Sequence, residues 1–312
     1  MTVVAFIAFS LFQYVGDPVL AMVGQDATPA ERQQLRTDLG LDQPFHAQFA
    51  RFAANALRGE FGLSYRQSRK VSTLLRERLP ATLELSFAAA VLALAVGIPM
   101  GVYTALRRRG LLSGLFLTVS LLGVSLPTFL IGILLIMLFA VQLGWLPSYG
   151  RGETVAIGWW TSGFLTLDGL RHLVLPAITL CLFQTTLIMR LVRAEMLEVL
   201  RTDYIRFARA RGLTDRTVHF GHALRNTLVP VITIAGLQLG AIIAFAIITE
   251  TVFQWPGMGL LFIQAVQGAD IPVMAAYLCL IALLFVLINL AVDLLYFAVD
   301  PRLRLERGAA AH

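Results

Sequence analysis

The residues best suited to chemistry lie between Arg190 and Pro230, where an otherwise apolar chain becomes arginine-dense. From Asp203 to Pro230 it reads DYIRFARARGLTDRTVHFGHALRNTLVP. The chemistry on offer is docking, through a polar, cationic face turned toward something else. Two short amphipathic helices fit the stretch, hinged at Gly212. Thr202 or Asp203 can cap the first, whose apolar Tyr204, Phe207 and Ala208 fall at i, i+3 and i+4. Gly212 suits the position just past a helix end that needs φ > 0. Thr214 restarts the chain as an N-cap, with Leu213 and Val218 placed as a hydrophobic staple. In the second helix Phe220, Ala223, Leu224, Thr227 and Leu228 form one stripe, with Asp215, His219, His222 and Asn226 opposite. The same residues also fit a plain interfacial helix pair whose arginines hold the loop in the cytoplasm.

Elsewhere, polar residues in or near apolar runs are few: Glu84, Gln184, Gln238, Glu250, Asn289 and Asp293. Glu84 and Glu250 lie near predicted external ends, from which a carboxylate can snorkel to water. Asn289 and Asp293 share a helix face, with Asp300 one heptad on, and are expected to pair with loop arginines. Gln184 and Gln238 are neutral and sit well inside their runs. They are candidate pathway-lining residues, with interhelical hydrogen bonding as the alternative. Catalytic motifs are absent: the chain has no GxxxxGK[ST], HExxH, CxxC or GxSxG. The chain is therefore expected not to be an enzyme and to hold no cofactor or metal of its own. Cys181 and Cys279 both lie in apolar runs, as small hydrophobes.

The elements that carry these residues are membrane helices. The chain has 312 residues, 57% hydrophobic and 14% charged, with a mean hydropathy of +0.75. A soluble domain averages about 25% charged residues. The net charge of +6 is almost all arginine, Lys70 being the only lysine, and the arginines sit between apolar runs. That favours a membrane over nucleic acid as the reason for the charge. Full-length apolar runs cover roughly Ala81–Leu106, Leu111–Leu143, Leu173–Leu191, Val229–Val252 and Ala275–Val299, each long enough for the ~20 residues a span needs. A further run, Thr2–Val15, is short and is expected to be a truncated first transmembrane helix, residues 1–15. Pro99, Pro127, Pro176 and Pro230 fall in or at the ends of spans, where they kink helices.

Arginine alternates between connections. Arg107, Arg108 and Arg109 follow one span, the 190–230 stretch another, and Arg302, Arg304 and Arg307 the last. The turn from Phe253 to Met274 carries no Lys or Arg. Positive charge marks the cytoplasmic side, so the arginine-rich loop and the C-terminus are predicted inside, with Gly59 and Gly268 outside. Residues 16–79 read as an external helical lobe. Thr28-Pro29-Ala30-Glu31 is a capping box with proline at N1, opening a helix that Gly40 ends, and Pro44 opens a second that stops at Gly59. The lobe suits either a packing lid or part of a seat for an external protein. Residues 80–312 form the predicted transmembrane core.

The spacing in the arginine-rich loop resembles the EAA loop of ABC importer permeases, here residues 193–228. The dipeptide/oligopeptide family, with glutathione and nickel importers among its members, typically reads DYxRTARAKGL and then HxLRNxLxP. Asp203, Tyr204, Arg206, Ala208, Arg209, Ala210, Gly212, Leu213, His222, Leu224, Arg225, Asn226, Leu228 and Pro230 match, while Phe207 and Arg211 stand where Thr and Lys are usual. Further resemblances run along the chain: Gly16-Asp17-Pro18, Leu39 to Pro44 (LGLDQP), Gly59 to Ser64 (GEFGLS), Phe253 to Gly259 (FQWPGMG), and Asp293 to Tyr296 followed by Asp300-Pro301-Arg302.

The resemblance, to the B-type subunit of that family, implies an all-α, six-span permease of the inner (cytoplasmic) membrane. It implies a second permease of similar fold, two cytoplasmic ABC ATPase subunits that bind ATP and Mg, and an extracytoplasmic peptide-binding protein. In it the loop docks on an ATPase, with Asp215 and His219 joining the matched residues in that role. Nickel or another small solute is the alternative cargo. A secondary transporter without ATPases is the rival of another class, but the chain shows neither internal repeats nor a carboxylate–histidine relay.

Overall fold

The computed structural model describes residues 6–7, 9–10, 28–38 and 42–299. Helix α1 (Pro29–Asp38) starts at the predicted capping box, where the Arg32 amide bonds to the Thr28 carbonyl at 3.1 Å. Helix α2 (Phe45–Leu57) opens after Pro44, and Gly59 beyond its end has φ +74°. Of the predicted first span only residues 6–7 and 9–10 are described, and these are helical. The Phe6 and Phe9 rings pack edge-on against Phe45 of α2. Asp300 and everything after it lie outside the described residues.

Four long apolar helices build the core: α3 (Val71–Leu106), α6 (Leu167–Val199), α8 (Leu224–Val252) and α10 (Ile271–Val299). Each carries a stretch long and apolar enough to cross a membrane. Between α3 and α6 lie α4 (Leu111–Ser125), α5 (Thr128–Leu135), a π-helical segment (Ile136–Gln142) and a small hairpin. The hairpin pairs β1 (Val155–Ile157) antiparallel with β2 (Trp160–Ser162). Helices α7 (Asp203–Ala210) and α9 (Met258–Gln267) complete the order. Helix α3 runs unbroken through Pro80, so the helix of the predicted second span begins within the 16–79 segment assigned to the lobe.

The apolar run 111–143 is not one straight span. It forms two helices, Leu111–Ser125 and Thr128–Gln142, inclined at 111°. Pro127 causes the break: it lacks an amide hydrogen, and its ring disfavours helical geometry at Leu126. Counting that pair as one, the described residues hold five spans.

The core lies where α3 and α6 pack along each other, joining Leu85, Ala89 and Ala93 with Leu180, Ile188 and Val192 in one buried cluster. Gly101 sets the closeness of the approach, because a Cβ there would lie 2.6 Å from Val192 Cβ and 2.8 Å from the Met189 carbonyl oxygen. At one end of this bundle converge the lobe, the hairpin and the turns on either side of α9. The other end holds residues 203–223. The connections that arginine alternation assigns to opposite sides thus occupy opposite ends of the bundle.

Candidate functional site

The loop at the second end is rooted in the core. Ile205, Ala208, Val218 and Ala223 are all buried in the same cluster as Val192 and Met196 at the end of α6. Helix α7 ends in a Schellman motif: the Leu213 amide bonds to the Ala208 carbonyl (3.4 Å) and the Gly212 amide to the Arg209 carbonyl (2.9 Å). Gly212 has the positive φ its position predicts, +78°, and open space where a Cβ would stand. Thr214 then caps the next turn, its hydroxyl accepting from the Thr217 amide at 3.4 Å. Thr202 stands at the N-cap of α7, but its hydroxyl donates to the Val199 carbonyl at 2.6 Å instead. Asn226 Nδ2 donates to the Tyr204 hydroxyl at 2.7 Å, tying α7 to the foot of α8.

Each predicted apolar face needs correction at its aromatic positions, while Ala208, Ala223, Leu224, Thr227 and Leu228 pack inward as expected. In α7 the buried pair is Ile205 and Ala208, whereas Tyr204 and Phe207 are 42% and 64% exposed. In the second helix Val218, Ala223 and Thr227 face inward, and Phe220 is 53% exposed. In the second helix the cause is local winding. Thr217–Ala223 is π-helical and continuous with α8, so inward positions there recur after five residues rather than four. An α-helical count from Ala223 puts Phe220 on the inner face; the wider turn rotates it out.

The outward face therefore carries aromatic rings among charges. Arg211 lies over the Phe207 ring at 5.8 Å, and Arg206 pairs with Asp203 at 3.2 Å. Arg209, Ala210, Asp215, His222 and Arg225 are exposed, His219 and Leu224 are partly so, and Leu213 is 39% exposed. This arrangement can bind a protein surface and offers no catalytic geometry.

Glu84 and Glu250 do not snorkel to water; both are buried. Glu84 accepts from Arg151 at 2.6 Å, the Gly163 amide at 3.1 Å and Trp160 Nε1 at 3.2 Å. Arg151 also donates to the Thr161 carbonyl at 2.6 Å, so one buried pair clamps the hairpin to α3. Glu250 accepts from the Thr82 hydroxyl at 2.6 Å and the Leu260 amide at 2.9 Å. Trp255 Nε1 donates to the Ala81 carbonyl at 3.0 Å, and the Met258 amide donates to the Thr82 hydroxyl at 2.8 Å. The FQWPGMG segment is thus a plug docked on α3, and Gly257 is a glycine because the Glu250 carboxylate occupies the place of its Cβ. Composition marked both glutamates as unusual, but apart from the Leu260 amide, ten residues from Glu250, the partners named above lie 67 to 168 residues away and left no local signal.

A third junction closes the same end. Asp270 accepts from the Ser64 hydroxyl and, at 3.1 Å, from the Tyr65 amide, joining the GEFGLS segment to the start of α10. Burial, and then the Asp270 carboxylate, push the Tyr65 phenol up to about 12, so it stays a neutral hydroxyl at physiological pH.

Gln184 and Gln238 line one cavity of about 220 Å³ between α3, α6, α8 and α10. The Gln184 Oε1 atom is buried without a hydrogen-bond partner, so the pair forms no interhelical bond through it. Asn289 and Asp293 do not pair with any arginine among the described residues; the Asn289 carbonyl oxygen is buried without a partner, and Asp293 is exposed. Among the described residues no group of three His, Cys, Asp or Glu could hold a metal ion.

A bundle of long apolar helices with an exposed, arginine- and aromatic-bearing loop at one end has the architecture of a polytopic membrane subunit. Residues 97–305 match the family described as binding-protein-dependent transport system inner membrane component, and residues 1–86 its N-terminal membrane component. The chain belongs to this family of inner-membrane, multi-pass permease subunits, which are not themselves enzymes. The Di/tripeptide transport system permease protein DppB of Pseudomonas aeruginosa is 41% identical, over 97% of this chain and 95% of that one. The dipeptide permease DppB of Escherichia coli K12 is 40% identical over 93% and 90%, and the probable D,D-dipeptide permease DdpB of the same strain 40% over 92% and 88%. Among solved structures, a chain of the inward-facing MetNI methionine ABC transporter superposes with a TM-score of 0.59 at 22% identity, over 73% of this chain and 96% of that one. That last likeness is one of fold.

Proposed function

We propose that this chain is the permease subunit of an ABC importer that carries di- and oligopeptides across the inner membrane. The peptide cargo rests on relatives about 40% identical over nearly the whole chain, all named as peptide permeases. Its partners in this reading are a second permease of similar fold, two ATPase subunits that bind ATP and Mg, and an extracytoplasmic peptide-binding protein. The loop 193–228 meets the ATPases from the cytoplasm, and the C-terminus lies on that side. The observation that carries the coupling role is the exposed ring set Tyr204, Phe207 and Phe220 standing among arginines on a backbone rooted in the core. Aromatic and arginine side chains of this kind anchor protein interfaces. ATP-driven closure of the ATPases then moves a loop rooted in the core rather than a free strand.

Reconstitution tests the reading. Liposomes holding the complete transporter should accumulate a labelled dipeptide only with internal ATP and external binding protein. This chain alone, given the dipeptide and a proton gradient, should accumulate nothing and hydrolyse no ATP. Proton-driven accumulation by the single chain would establish the secondary-transporter rival instead.

A further inference from the structure

From Leu143 to Leu167, the first residue of α6, the chain reverses the usual pattern of a water-facing connection. Its charged residues are Arg151 and Glu153, and the arginine is turned inward to Glu84. Large apolar side chains face outward instead: Trp145, Tyr149, Ile157, Trp159, Leu165 and Leu167 are each more than half exposed. A patch of this kind marks contact with a membrane or with another protein. Exposed Val141, in the π-helical segment, and exposed Leu143, which follows it, lead directly into the patch, which so continues the outer surface of the bent span.

Depth separates the two occupants. Trp160 and Arg151 both bond to Glu84, and Arg76 lies 5.3 Å over the Trp159 ring, so the hairpin hangs on the flank of α3. Along that helix Glu84 stands about 34 Å from Arg107, at 1.5 Å per residue. A hydrocarbon core is about 30 Å thick, and a bilayer with its headgroups about 40–45 Å. With the basic Arg107 at one membrane surface, the hairpin falls in the headgroup band of the other. Helix α3 also rises about 20 Å beyond Glu84 to Val71, so a protein arriving from that side meets the helix start and the Ser64 loop before the hairpin. The residue types agree with this depth. Tryptophan and tyrosine favour the membrane–water interface, where the ring is apolar on one side and wet on the other. Exposed Arg76, above Trp159, places a cation where lipid phosphates lie.

We propose that residues 143–167 form a membrane-interface anchor: the hairpin and its flanking turns lie on phospholipid headgroups, with Trp145 and Trp159 at the acyl boundary and Arg76 beside a lipid phosphate. The leaflet is the one at that end of the bundle, external in the orientation that arginine indicates. Through the buried Glu84–Arg151 pair the anchor fixes the depth of α3 in the bilayer. This requires only that the chain span a membrane and is independent of the cargo.

The test places a nitroxide on Tyr149→Cys, Ile157→Cys or Leu165→Cys, each in a background lacking Cys181 and Cys279, in the complete transporter in liposomes. All three native side chains are more than half exposed, so the labels replace few contacts, and three positions guard against one variant failing to assemble. Power saturation compares collisions with oxygen, which concentrates in lipid, and with a neutral nickel chelate, which stays in water. Oxygen collisions should exceed chelate collisions at all three positions, whereas a label on Arg58→Cys, in the lobe, should show the reverse. Chelate collisions in excess at the three positions would make the patch water-facing and open to an external protein, which overturns the anchor. Weak collisions with both reagents would mean that another subunit covers the patch, the second permease being the first to examine, and would overturn it equally.

Discussion

Glu84 and Arg151 show how single residues hold an irregular connection against a bundle. The pair is buried on both sides, and Glu84 takes two further donors, from Gly163 and Trp160. Removing one member of such a pair leaves an uncompensated charge and costs about 3–5 kcal/mol, whereas replacing both with apolar groups is often nearly neutral. Glu84→Leu should therefore lower the thermal stability of the detergent-purified transporter and open residues 151–163 to protease. The double variant Glu84→Leu, Arg151→Leu should recover most of that stability. Wild-type melting by Glu84→Leu alone would show that the pair does not clamp the hairpin. Glu250 is a different case, because its partners are a hydroxyl and a backbone amide, with no cation in bonding distance among the described residues. Its burial fits a structural plug at the bundle end, with the Gly257 and Gly259 backbones packed around the carboxylate.

Among elements, the loop from Asp203 to Ala223 was the most legible in sequence and also the one whose facing was misread. Gly212 and Thr214 follow from capping chemistry, which is local, and they stand where that chemistry puts them; α7 starts after Thr202 as expected, but without a side-chain cap. The buried face of the second helix follows from an assumed period of 3.6, which the π-helical turn at Thr217–Ala223 breaks, whereas α7 keeps that period and buries Ile205 with Ala208 in place of the two rings. Nothing in the composition of TVHFGHA announces a wider turn. The bend at Pro127 has a cause visible in sequence, but its 111° angle depends on packing against α6 and α8. For the same reason the glutamine positions were legible as unusual, while the cavity they share depended on how four helices meet. Gly212→Val tests the loop as an element. A β-branched residue at φ +78° costs about 1–2 kcal/mol, and no side-chain clash adds to it. That is too little to unfold the bundle, but it changes the angle at which the chain leaves α7 and so displaces Asp215 and His219. The variant should insert at normal levels and keep its second permease while losing co-purifying ATPases or ATP-driven uptake. Arg209→Glu should weaken docking by charge alone. Normal uptake by Gly212→Val would remove the hinge from the coupling mechanism.

For the whole molecule, the question is which end faces the cytoplasm. The bundle places the lobe loop at Ser64, the hairpin, the FQWPGMG plug and Asp270 at one end, joined to one another through α3 and α10. Ala105, Ile205 and Val218 share the buried cluster at the other end. Orientation is therefore a single binary choice: fixing any one connection fixes them all. Arginine density supports the proposed cytoplasmic placement of the second end, since Arg107, Arg108, Arg109 and the 203–223 loop all belong to it, and short basic loops tend to stay inside. The basic residues of the 16–79 segment carry little weight against this, because long segments cross largely regardless of charge. Single cysteines at Gly59, Arg108, Gly268 and Arg304, each in a background lacking Cys181 and Cys279, read the choice directly. An impermeant maleimide added to intact spheroplasts should label positions 59 and 268, and should reach 108 and 304 only after lysis. Labelling of 108 with protection of 59 would invert the molecule. It would also put the exposed rings of the coupling loop outside, where no ATPase could meet them, so the same measurement decides both the topology and the direction from which ATP hydrolysis drives the bundle.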